Sequence, residues 1–425
     1  MKHSVEKVEL DNGAKGLLID VPSATVMSFD FEFRAGYRFT KSEKLYEVSH
    51  LMEHMAFGAN ARFQDGLAYE TEFTKNGAYH NASTSDYLVG YDAECADFEW
   101  ERILDLQLLS ITSPRFNQKE MDAERGNVKN ELTGLQNSYP RILWQKLYQA
   151  CGVPCLLDTE RTKLLPNIKL EDIKEHYRRT HVAKNMRFLI AGDLRERKEK
   201  IKRILNEADF KKGQKWEFGD YTMHKVKPLF IKRKDAVNLT FGFGFTLPKR
   251  LSDEEVDAMD CLNHILTGTL SSRILGRARN EGLIYGMYSE ATRGLFNSSW
   301  EFSGAVNVET ARDLFRIIKE ELSKVLAGEV SENDLENAKS YALGRHQMRM
   351  QTARATLNFY FDQFCFLDEV EDFASVPDRI KSVNRTKIIE TAREFVERDV
   401  SVFGMVGRDN AELAKTLGAA LTELK

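Results

Sequence analysis

The chain has 425 residues, of which 42% are hydrophobic and 30% charged, with a formal net charge of -4. That length exceeds one ordinary core and suits two domains of roughly 200 residues in a globular protein. The slight acidity and the lack of any basic tract exclude a polyanion partner, so no nucleic acid is expected.

The opening segment MKHSVEKVELDNGAKG has no apolar core of a secretory signal. No later run approaches the roughly 18 apolar residues of a membrane span. No membrane association is expected, and the cytoplasm is the expected compartment. Cys95, Cys151, Cys155, Cys261 and Cys365 are odd in number and follow no framework spacing, which suits a reducing environment. Cys151 and Cys155 flank Gly-Val-Pro, and with no second pair they read as small semi-buried thiols.

Val26 to Phe33, VMSFDFEF, alternates apolar Met27, Phe29, Phe31 and Phe33 with Ser28, Asp30 and Glu32, the pattern of a half-buried strand. VNLTFGFGF from Val237 repeats the device. Each strand leads into a helical segment, with 25 residues from Phe29 to His54 and 23 from Phe241 to His264. At the far end, Phe29 to Gly192 spans 163 residues and Phe241 to Gly407 spans 166. A period of about 215 points to duplication of a whole domain. The polar segment Phe210 to Met223 reads as the junction, giving domains 1–212 and 222–425. Strands and helices come in runs with few βαβ alternations, so each half is expected to be α+β, a mostly antiparallel sheet with helices packed on one face.

SHLMEHMAFG, Ser49 to Gly58, carries two histidines four apart with a glutamate before the second. At 100° per residue, His50 and His54 lie one above the other on a single helical face, and Glu53 lies beside that face. Zinc suits such donors, because a catalytic site takes three protein ligands, leaves a position to water and lowers that water's pKa. The third ligand should be a carboxylate from another element. Asn117 to Asn137 reads as a helix on which Glu124 and Glu131, seven apart, share a face. One of them can bind the ion while the other orients a ligand.

His50-Leu-Met-Glu53-His54, with 76 residues between His54 and Glu131, resembles the inverted zincin signature of the pitrilysin/insulinase family of metallopeptidases. GAYHNASTSDYLVGY from Gly77 and AERGNVKNEL from Ala123 resemble further family segments, and the duplicated halves resemble its short two-domain type, such as the subunits of mitochondrial processing peptidase. The resemblance implies His50, His54 and Glu131 as ligands of one Zn2+ per chain, Glu53 as general base and Glu124 as the carboxylate that orients a ligand. In the second half Asn263 stands where Glu53 would, so no metal is expected there. SSRILGRARNEGLIYGMYSE, from Ser271, resembles the family segment whose arginine and tyrosine reach the substrate. The family's arginine precedes its tyrosine by seven; here that position is Ala278, between Arg277 and Arg279. A one-residue deletion in the turn favours Arg279, paired with Tyr285.

The implied protein is a zinc metalloendopeptidase that hydrolyses unfolded peptides in an enclosed chamber, Glu53 taking the proton of the zinc-held water. A clamshell homodimer is expected, the centre of one copy facing Arg279 and Tyr285 of the other, and a heterodimer remains open. Ala78, Asn81 and Ala82 are expected on a sheet edge, where an extended peptide can pair with main-chain groups. The alternative is a non-catalytic or partner-dependent subunit of a heterodimeric processing peptidase.

Overall fold

A computed structural model describes residues 2–398, 400–422 and residue 424. It has the expected α+β class, built around two sheets in two compact units. In the first unit six strands, β1 (Ser4–Glu9), β2 (Lys15–Asp20), β3 (Val26–Phe33), β4 (Tyr79–Thr84), β5 (Val89–Ala96) and β6 (Met186–Gly192), lie in the order β1-β2-β6-β3-β5-β4. Only β2 and β6 run parallel. The second unit repeats this with β7 (Leu229–Lys232), β8 (Leu239–Leu247), β9 (Met287–Arg293), β10 (Ser298–Val306) and β11 (Ser401–Gly407), ordered β7-β11-β8-β10-β9, where only β7 and β11 are parallel. The duplication therefore extends to strand order and direction.

The alternation in β3 sends Met27, Phe29, Phe31 and Phe33 into the first core, where they pack with Leu51, Met52 and Met55 of the helix Val48–Ala56. Ser28, Asp30 and Glu32 point the other way, and they too are buried, against the half-buried expectation. The helix Ala353–Leu367 packs on β3 and β6 and covers them. Its Arg354 pairs with Asp30, Asp92 and Glu94, supplying the counter-charge that buried carboxylates need. The helix comes from the second half of the sequence, yet residues 348–371 belong to the first unit.

The second unit contains the reciprocal feature. Residues 135–157 belong to it, and their helix Tyr139–Ala150 lies on β8 and β11. Leu143, Leu147 and Cys151 pack with Val402 and Val406. Glycines make the room: a Cβ at Gly242 would sit 3.1 Å from the Trp144 ring, and one at Gly404 would sit 2.8 Å from Leu143. The Trp144 indole N–H donates to Ser303 at 2.8 Å, and the Tyr148 hydroxyl donates to Glu301. The units are thus discontinuous where the sequence suggests contiguous halves at 1–212 and 222–425. One boundary between them, Gly219/Asp220, falls inside the expected junction. All five cysteines are free. Among the described residues no helix is long and apolar enough to cross a membrane.

Packing this tight makes the Tyr139–Ala150 helix sensitive to volume. Leu143→Ala is expected to cost about 2–5 kcal/mol through the cavity it leaves, and Gly242→Val about 1–3 kcal/mol through overpacking. Urea unfolding midpoints check both, and unchanged midpoints would show that the second sheet holds without this helix.

Candidate metal centre

The helix Val48–Ala56 is buried along nearly its whole length, with an apolar side on the sheet core. Glu47 occupies its N-cap position but makes no side-chain cap to the helix. Its carboxylate turns instead to the first histidine, one turn on, and accepts from His50 Nδ1 at 3.0 Å. A parallel contact joins His54 Nδ1 to Glu124 Oε2 at 3.0 Å. Because an ionised carboxylate can only accept, both Nδ1 atoms carry a proton, so that either ring, when neutral, presents its lone pair at Nε2.

Those two Nε2 atoms converge on one oxygen, Glu131 Oε2, at 3.4 Å from His50 and 3.5 Å from His54. The three ligand atoms lie within 4.8 Å of one another. Tetrahedral zinc with bonds of about 2.0–2.1 Å holds its donors roughly 3.3–3.4 Å apart, so the spacing and chemistry of the set fit a divalent ion. Glu124 and Glu131 project from one face of the helix Gln118–Leu135, as their spacing requires. Asn127 adds a hydrogen bond to Glu124 at 3.1 Å.

Glu53 stands beside this cluster, 8% exposed, and accepts from Thr84 Oγ1 at 2.9 Å. Burial pushes its pKa above the ordinary carboxylate value, against the pull of the two histidines. Thr84 ends β4, which pairs only with β5 and forms the edge of its sheet. Ala78 immediately precedes β4, while Asn81 and Ala82 lie on it, opposite Asp92 and Tyr91. One hydroxyl therefore ties Glu53 to the edge strand.

In the second unit Tyr285 is 88% exposed just before the other edge strand, β9. The Arg279 guanidinium lies 4.6 Å from its ring centre and donates to its carbonyl. Arg277 is engaged elsewhere, with Glu281 at 3.0 Å and Glu320 at 2.7 Å. Asn263 accepts from the buried Trp300 indole at 2.9 Å, and His264 stacks on Tyr341. Among the described residues no metal-binding cluster forms there.

Glu47, Arg161, Tyr37 and Thr84 are among the polar residues around the centre that sequence reasoning does not single out. Glu47 leaves a faint signal, three residues before His50 and thus on its side of the helix. Arg161 leaves none; it reaches Glu47 from the helix Asp158–Leu164, with Nη2 at 3.1 Å from Oε2.

Fold and site define a duplicated α+β protein with a His-His-Glu centre on its first sheet. The family model described as Insulinase (Peptidase family M16) matches residues 22–152, and the model described as Peptidase M16 inactive domain matches residues 167–341. The chain belongs to this family, M16. A Helicobacter pylori protein named non-peptidase homolog YmxG is 21% identical over 278 residues, a match spanning 63% of each chain. A solved structure of a protease from Helicobacter pylori superposes with a TM-score of 0.83 at 18% identity, covering 96% of this chain and all of that one. An M16 inactive-domain structure from Pseudomonas fluorescens gives 0.81 at 16% identity, covering 96% and 98%.

Without a bound cation, protons take its place. Burial opposes charge on His54, but its hydrogen bonds to Glu124 and Glu131 outweigh that, and its pKa is pushed from 6.5 up to about 10. Stability from this shift is complete below the ordinary imidazole value and is lost as pH rises through about 10. Chelator-treated wild type should therefore lose thermal stability relative to His54→Gln as pH is raised across this range. A constant difference in Tm between the two proteins would contradict the assignment.

Proposed function

We propose that the chain is a zinc-dependent endopeptidase acting on unfolded peptides. The observation that carries the proposal is the convergence of His50 Nε2, His54 Nε2 and Glu131 with Glu53 alongside. Bound there, zinc supplies Lewis acidity, polarising the scissile carbonyl and making water more acidic. Glu53 accepts the proton of the attacking water and returns it to the leaving amine.

The free edge of β4 supports binding of an extended peptide through main-chain groups, with Asn81 hydrogen-bonding the substrate backbone. Main-chain pairing selects shape over sequence, and an enclosed chamber would admit unfolded peptides only. In this proposal two copies pair as a clamshell, and Tyr285 and Arg279 of the partner subunit stabilise the oxyanion. The exposure of Tyr285 and its contact with Arg279 support that role. Five free cysteines support a reducing compartment such as the cytoplasm.

A second reading is a non-catalytic or partner-dependent subunit of a heterodimeric processing peptidase. The names of the relatives favour it, since one is called a non-peptidase homolog and one structure an inactive domain. The side chains of this chain favour the first, because the complete centre and its base are present together.

A quenched fluorescent peptide library separates the two. Wild type should cleave, a chelator should abolish cleavage, and Glu53→Gln should lower kcat by about 10²–10⁴-fold while still binding zinc. Stoichiometric zinc binding with no cleavage of any peptide would favour the second reading. Pairing of copies is checked by mixing Glu53→Gln with Tyr285→Phe: subunit exchange should restore one intact site per hybrid dimer. No recovery, despite proven exchange, would rule the shared site out.

A further inference from the structure

Glu47 and Arg161 form a buried device whose output is the ring of His50. Glu47 is fully buried, and Arg161 and Asp158 are 6% and 2% exposed. Arg161 Nε donates to Glu47 Oε1 at 2.5 Å and Nη2 to Oε2 at 3.1 Å, a two-pronged grip that fixes the plane of the carboxylate. The same Oε2 faces His50 Nδ1 at 3.0 Å. Arg161 is itself fixed: Nη2 donates to the Tyr37 hydroxyl, Nη1 points to Asp158 at 3.4 Å, and the guanidinium lies 4.8 Å from the Tyr37 ring centre. The chain from Tyr37 through Arg161 and Glu47 thus ends on His50, the ligand that Glu124 does not touch.

The geometry points to Glu47, gripped by Arg161, as the positioning residue of the metal centre that holds the His50 tautomer and aims its Nε2 at the ion. This rests on the metal reading above. Each histidine then has its own carboxylate: Glu124 serves His54 from the neighbouring helix, and Glu47 serves His50 from its own. A glutamine at 47 cannot replace the carboxylate, because it offers one acceptor oxygen where two are now used. An N–H turned toward either His50 or Arg161 would repel a donor.

The test is the zinc affinity of the full chain, measured by competition with a chromophoric chelator at temperatures where circular dichroism shows each protein folded. Glu47→Gln and Glu47→Ala are expected to weaken zinc by about 10–100-fold, comparable with Glu124→Gln. Arg161→Lys keeps the charge but loses the two-pronged grip, and is expected to weaken it by a smaller factor. Glu47→Gln and Arg161→Lys carry the test if Glu47→Ala does not fold. A merely structural role lowers the Tm of the metal-free protein and leaves affinity at the wild-type value, which would overturn the inference. Loss of affinity in Glu124→Gln alone overturns this inference and spares the metal centre, whereas a wild type that binds no zinc overturns both.

Discussion

Two imidazole N–H groups, each held by a carboxylate at 3.0 Å, set the chemistry of the first unit. With Nδ1 occupied, Nε2 is the only nitrogen either histidine can offer, and neither ring can turn without breaking its hydrogen bond to a carboxylate. The fold serves this constraint. β3 and its neighbours give the histidine helix an apolar floor, and the helix Gln118–Leu135 brings Glu124 and Glu131 to it on one face. The edge strand contributes Thr84 to Glu53. Three elements therefore bring their side chains together here: the histidine helix, the helix Gln118–Leu135 and the edge strand.

Much of this is legible in the sequence, and the reason is periodicity. Four residues of helix return a side chain to the same face and seven nearly do so again, so His50 with His54, and Glu124 with Glu131, can be placed without coordinates. Strand alternation likewise assigns Phe29, Phe31 and Phe33 to the core. What periodicity omits is the identity of the covering surface. The pattern of Ser28, Asp30 and Glu32 reads as solvent-facing, but it is covered by a helix over 300 residues away, whose Arg354 makes the burial tolerable. The glycines of VNLTFGFGF look like weak strand positions until Trp144 is seen lying over Gly242. Arg161 belongs to the same class, since only tertiary structure brings it to Glu47.

Duplication explains why the second unit resembles the first and yet differs in chemistry. Both sheets share strand order, and in both an exposed edge strand lies next to residues singled out for function. In the second unit the position matching Glu53 is Asn263, whose oxygen accepts from the Trp300 indole inside the core, and His264 is stacked on Tyr341. Polar groups that converge on one another in the first copy are used to satisfy packing in the other. That copy instead carries the exposed Tyr285, with the Arg279 guanidinium against its ring.

Names carried by relatives describe those relatives, and a shared fold at 16–18% identity transmits architecture without activity. The stronger constraint is charge. Glu47, Glu53, Glu124 and Glu131 gather around the two histidines, and among the described residues Arg161 is the one permanent cation hydrogen-bonded to any of them. Leaving carboxylates unbalanced in a partly buried site is costly, so the cluster must take up positive charge. Protonated imidazoles can supply it, which is why the His54 pKa is pushed up to about 10. A divalent ion could supply the same charge at neutral pH while leaving both rings neutral, and the three donor atoms, within 4.8 Å of one another, are close enough to share one.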